Sequence, residues 1–134
     1  GLRKVLEMMK QEGLKQIFAR HAKLAQATRE AFRALGLRLL AAESPSSAVT
    51  GVYLPDGIDG GAFNKKLRDH YGVTIAGGQD KLKGKIIRVA HLGYADVLDV
   101  INAVAVVERG LKEFGYSFEL GAGVRAAEKI LFEK

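Results

Sequence analysis

Apolar residues recur at helical spacing from the start of the chain. Leu2, Val5, Leu6 and Met9 mark a first helix that stops at Gly13. A longer helix follows from about Leu14 to Leu35. Its stripe is Leu14, Ile17, Phe18, His21, Leu24, Ala25, Thr28, Ala31, Phe32 and Leu35, and Gly36 ends it. The period then shortens. Leu37 to Ala41 and Ala48 to Leu54 read as strands around the turn-rich loop Glu43-Ser44-Pro45-Ser46-Ser47. Pro55-Asp56-Gly57 turns the chain, and Asp59 caps a helix that runs to about Tyr71 and stops at Gly72. Val73 to Ala76 and Lys85 to Ala90 are two further strands, joined by the loop from Gly77 to Gly84. Asp96 caps a helix to about Phe114, and a last helix spans about Ala122 to Phe132. The order α-α-β-β-α-β-β-α-α predicts an α+β fold. A small, mostly antiparallel sheet of about four strands carries packed helices and is preceded by a long N-terminal helix.

Within the last strand one position breaks the pattern. Arg88 stands in Lys85-Ile86-Ile87-Arg88-Val89-Ala90-His91 where an apolar residue is expected. A guanidinium is planar, permanently charged and carries five donors, which suits two-point grip of a carboxylate. In an apolar strand it either snorkels to water or faces a site that needs a positive charge; the pattern alone favours water.

Composition narrows the options. The 134 residues fit one domain with a real core. No cysteine is present, which removes disulfides and thiolate metal sites and fits a reducing, cytoplasmic setting. The three histidines, His21, His70 and His91, lack metal-ligand spacing. No apolar run is long enough to span a membrane. The opening residues have no signal-peptide shape and begin in mid-helix pattern, so the chain reads as a fragment. The net charge of +6 is uneven: residues 1–42 hold nine Lys/Arg against three Asp/Glu, and the remainder is balanced. A basic helical region can meet nucleic acid or an acidic protein, or simply be solvated. No aromatics interleave with these basic residues, which argues against a single-strand binder.

Other candidate chemistry is thin. Gly77-Gly78 allows close backbone approach, but neither GxGxxG nor GxxxxGK[ST] occurs. Lys81, Lys83 and Lys85 could attract anions or be solvated. His91 could move a proton or serve as a structural hydrogen-bonder. Ser44, Ser46 and Ser47 have no triad-like partners.

The blocks Gly72-Val73-Thr74-Ile75-Ala76-Gly77-Gly78-Gln79 and Lys83-Gly84-Lys85-Ile86-Ile87-Arg88-Val89-Ala90-His91-Leu92-Gly93 resemble the C-terminal end of class V, fold-type-I pyridoxal-phosphate aminotransferases. The resemblance extends to Glu12-Gly13-Leu14, Ala34-Leu35-Gly36-Leu37, Val49-Thr50-Gly51-Val52, Pro55-Asp56-Gly57 and Phe118-Glu119-Leu120-Gly121. The nearest group is the alanine–glyoxylate, serine–pyruvate and serine–glyoxylate transaminases, including proteins labelled as a soluble hydrogenase subunit. One departure is Ala90, where many relatives have glycine.

The resemblance implies that Arg88 binds the α-carboxylate of a small amino acid or 2-oxo acid. Gly77, Gly78 and His91 are the candidates to line the same site. It implies pyridoxal phosphate as cofactor of a longer protein. The Schiff-base lysine and most of the phosphate cup would then lie upstream, in a missing N-terminal large domain. Residues 1–13 would be a remnant of the inter-domain helix and 14–134 the C-terminal small domain, in a homodimer. The fragment alone would not transaminate. A lyase or desulfurase of the same fold type is an alternative, and a basic interaction module is another.

Overall fold

The computed structural model describes residues 1–133. Helices α1 (Leu2–Glu12) and α2 (Leu14–Ala34) come first, then β1 (Val49–Tyr53) and α3 (Gly60–Tyr71). Strand β2 (Ala76–Gly77), a 3₁₀ turn at Asp80–Leu82, β3 (Ile86–Ala90), α4 (Val97–Glu113) and α5 (Ala122–Phe132) complete the chain. The sheet is antiparallel throughout, in the order β1-β3-β2, so the strand that carries Arg88 is central.

The helix ends follow their local chemistry. Asp59 accepts from the Ala62 backbone N–H at 2.8 Å at the start of α3, and Gly72 adopts the left-handed conformation at its end. Asp96 and Asp99 form a reciprocal capping box on α4. Helix α5 begins at Gly121 with no cap of its own; Glu108 of α4 reaches across instead.

Two of the expected strands are shorter than their patterns. Around Leu37–Ala41 only Leu39 pairs, as an isolated bridge to Val52, flanked by bonds from Leu40 N–H to the Gly51 carbonyl and from Tyr53 N–H to the Arg38 carbonyl. The sheet therefore has three strands plus this bridge. The Val73–Ala76 pattern yields a ladder only at Ala76–Gly77. Val73 N–H is still bonded back to the Leu67 carbonyl as the chain leaves α3, and Ile75 turns into the core before pairing starts.

Register decides which residues share a face, because opposed residues in a sheet point the same way. Thr50, Val52, Ile87 and Val89 lie on one face. All four are buried, and Val52, Ile87 and Val89 join the main core with Phe32, Phe63, Leu67, Val107 and Leu111. Val49, Gly51 and Tyr53, with Ile86, Arg88 and Ala90, lie on the other. Within that core α3 and α4 approach closely at Gly110, where a Cβ would stand 2.7 Å from Leu67 Cδ2. A second cluster joins α2, α4 and α5 through Leu24, Ala27, Ala31, Val100, Val104, Ala127 and Leu131. The N-terminal half of the α2 stripe is not all core: Leu14 and Phe18 are exposed.

Helix α1 has no buried residue. Arg20 of α2 anchors its end. It grips both carboxylate oxygens of Glu12, at 2.6 and 2.9 Å, and donates to the carbonyls of Gly93 and Ala95 at 3.0 and 2.9 Å. The loop that follows β3 is thereby tied to both N-terminal helices. No helix among the described residues is long and apolar enough to cross a membrane.

Candidate functional site

Arg88 sits mid-way along the central strand, on the face not covered by the main core. It is half-buried, while its neighbours Ile87 and Val89 point into the core. Directly opposite stand Gly51 on β1 and Ala76 on β2. These are the two smallest side chains available, so neither flank crowds the guanidinium. Leu40 lies over Gly51, where a Cβ would meet its Cδ2 at 3.2 Å.

One bond holds the arginine. Its Nε donates to the Gly77 carbonyl at 2.8 Å. The two terminal nitrogens donate to no protein acceptor among the described residues, and no described carboxylate forms an ion pair with Arg88. A half-buried guanidinium with an open fork is suited to an anionic ligand with two oxygens in a plane.

The other sequence candidates are distributed unequally. Gly77 supplies the carbonyl that fixes Arg88. Gly78 lies under the 3₁₀ turn, against Leu82 and Ile86. His91 is on the covered side, fully buried. Its Nδ1 is 3.1 Å from the Ser47 carbonyl and so must donate, which leaves Nε2 to accept from the Thr50 hydroxyl at 2.9 Å. Burial holds its pKa below the ordinary imidazole value, so the neutral ring is the form that fits. The structure therefore brings Arg88 and Gly77 into contact and places His91 beneath the sheet. Lys81, Lys83 and Lys85 are exposed, in and after the turn. Gly51 and Ala76 carry no sequence signal of their own; only strand register pairs them with Arg88.

The sequence matches no family model. It is 44% identical over 132 residues to a protein named soluble hydrogenase, small subunit, from a Synechococcus strain, covering 98% of this chain and 34% of that protein. Serine–glyoxylate aminotransferase of Arabidopsis thaliana is 38% identical over 133 residues, covering 98% and 33%. Among solved structures, ureidoglycine–glyoxylate aminotransferase of Bacillus subtilis superposes with a TM-score of 0.92 at 32% identity, over 96% of this chain and 34% of that one.

This chain is a class V, fold-type-I pyridoxal-phosphate aminotransferase domain, related to the alanine–glyoxylate and serine–pyruvate aminotransferases and the soluble hydrogenase subunits. Pyridoxamine–pyruvate aminotransferase of Mesorhizobium loti gives a second structural match, with a TM-score of 0.88 at 32% identity over 93% of this chain and 33% of that one. The aminotransferase domain spans about a third of the length of the curated relatives it matches.

Pyridoxal phosphate needs a lysine for covalent attachment and a carboxylate at its pyridine nitrogen, and the Arg88 face offers neither. The side chains of that face are Val49, Tyr53, Ile86, Arg88, Ala90 and Ala76, with Gly51 between them. These residues do not make a cofactor pocket.

Proposed function

We propose that this domain supplies the carboxylate grip of a longer aminotransferase that moves amino groups between small amino acids and 2-oxo acids. Serine or alanine would be the donor, and glyoxylate or pyruvate the acceptor. The observation that carries the reading is the open fork of Arg88, held on the sheet face away from the main core with no ion-paired carboxylate among the described residues. The similarity to serine–glyoxylate and pyridoxamine–pyruvate aminotransferases supports the substrate class. Fixing the carboxylate at two points limits rotation of the substrate about its Cα. That presents one bond to the reacting centre, which is catalysis by orientation. Pyridoxal phosphate would supply the electron sink when bound elsewhere in the protein.

In this reading residues 1–13 form a connecting helix and residues 14–134 the small domain. The exposed apolar side chains of Leu2, Val5, Leu6 and Met9 suit a helix that packs on further polypeptide. The protein would be a homodimer, and the domain alone would not transaminate.

The test uses the full-length protein. Arg88→Ala should weaken substrate use by about 2–5 kcal/mol, the cost of losing a charge-assisted pair from a desolvated site. Cofactor binding, read from its absorbance, should change little. Arg88→Lys should rescue poorly, because an ammonium has no fork. Unchanged kcat/KM in Arg88→Ala would return Arg88 to a solvated strand position.

A further inference from the structure

From the bonding of Arg88 we infer that it meets its ligand only through its two terminal nitrogens, and that Gly78 is the positioning residue that makes this so. The inference rests on the carboxylate reading above and adds the direction of approach and the residue that sets it.

An arginine can hold a carboxylate by either of two edges. One edge pairs Nε with a terminal nitrogen; the other pairs the two terminal nitrogens. Here the first edge is taken, because Nε already donates to the Gly77 carbonyl at 2.8 Å. Only the end-on edge remains for a ligand. That edge points along the side chain, away from β2, so the ligand's carboxylate lies beyond the guanidinium.

The Gly77 carbonyl is held in place by its neighbour. A Cβ on Gly78 would stand 2.1 Å from the Leu82 carbonyl oxygen, 2.5 Å from its carbon and 2.8 Å from Ile86 Cγ1. Two of those three atoms are backbone and cannot rotate away. Any side chain at Gly78 must therefore lift the Asp80–Leu82 turn from β3 or displace β2. Gly77 moves in either case, and its carbonyl moves with it. Position 77 is more tolerant: a Cβ there meets only Asn64 Nδ2, at 3.2 Å. The demand for glycine at 78 is thus steric, and it acts on the ligand through Gly77 and Arg88.

Two measurements test this. The first needs no variant: exchange of the Arg88 Nε proton with solvent, followed by nitrogen-15 NMR. It should be slower than at an exposed arginine by about fivefold or more, the protection one internal hydrogen bond gives. Exchange as fast as at an exposed arginine would overturn the inference. The second is steady-state kinetics on the full-length protein. Gly78→Ala should raise KM for the 2-oxo acid about tenfold or more, the order expected of an ångström-scale misplacement, and lower kcat with it, because the substrate loses its orientation. In the Arg88→Ala background the same change should leave KM unaltered, because the residue it acts through is gone. An equal effect in both backgrounds would mean that Gly78 acts on stability alone and would overturn the inference. Should Gly78→Ala not fold, Gly77→Ala gives a smaller shift in the same direction, absent again without Arg88. If Arg88→Ala raises KM and neither glycine variant does, the carboxylate reading stands and the positioning role falls. If Arg88→Ala leaves KM unchanged, the carboxylate reading itself falls.

Discussion

Glu108 offers the most direct probe of how the helices are held together. It lies on α4 among Val104, Val107 and Leu111 and is almost fully buried. Its Oε2 accepts from the Gly121 backbone N–H at 2.7 Å and its Oε1 from Val124 N–H at 2.9 Å. These are the cap and third positions of α5, which has no capping side chain. A carboxylate there satisfies two orphan donors and faces the positive end of the helix dipole. Each such bond contributes about 1.5–3 kcal/mol. Removing the carboxylate from water offsets part of that. Glu108→Ala leaves both N–H groups buried without partners and opens a gap beside Gly123, so the loss should be about 3–4 kcal/mol. Glu108→Gln keeps one acceptor but turns an amide N–H₂ toward the other donor, so it should lose about 2 kcal/mol. The assay is equilibrium urea unfolding followed by far-ultraviolet circular dichroism, with hydrogen exchange at the Gly121 and Val124 amides as the local readout. The ordering Ala worse than Gln worse than wild type is expected, with both amides losing protection first. A Glu108→Ala chain within about 0.5 kcal/mol of wild type would refute the cross-helix cap.

Stability should fall on mild acidification through His91. Burial lowers its folded pKa below the ordinary 6.5. Its contribution is complete above that value and is lost as pH drops through it toward the folded pKa, because the unfolded chain then binds the extra proton. Unfolding midpoints between pH 7.5 and 5 should show this slope, and His91→Gln should flatten it. At the α3–α4 contact, Gly110→Ala places a methyl group 2.7 Å from Leu67 Cδ2 and should cost about 1–3 kcal/mol in the same urea assay. Arg20→Ala should speed hydrogen exchange across α1 and the Gly93–Ala95 loop. Its effect on global stability should stay near 1 kcal/mol, since the Glu12 pair keeps about a third of its side-chain surface in water.

Much of this was legible in the sequence because single residues carried the signal. Asp59 and Asp96 mark helix starts, Gly72 marks a stop, and the last helix has its expected bounds. Arg88 stood out because a charge interrupts an apolar strand. Glu108 gives the same signal within the α4 stripe, yet helical spacing alone does not reveal that its partner is the start of α5. The strands at Leu37–Ala41 and Val73–Ala76 misled for a related reason. Alternation reports which side a residue faces, whereas pairing depends on where the neighbouring backbone runs. Leu39 meets only Val52, and Val73 is still bound to the end of α3. The environment of Arg88 was hidden in the same way. Gly51 and Ala76 become its neighbours through register, and Gly77 holds it through a carbonyl, which no side-chain pattern encodes.

The central claim is that the fork of Arg88 binds a carboxylate. It is tested most directly by changing both partners at once. L-alanine and its amide, which lacks the carboxylate, are compared as amino donors in the full-length protein and in Arg88→Ala. The account predicts that wild type prefers L-alanine strongly and that Arg88→Ala abolishes most of this preference, a coupling of about 2–5 kcal/mol. An undiminished preference in Arg88→Ala would contradict it.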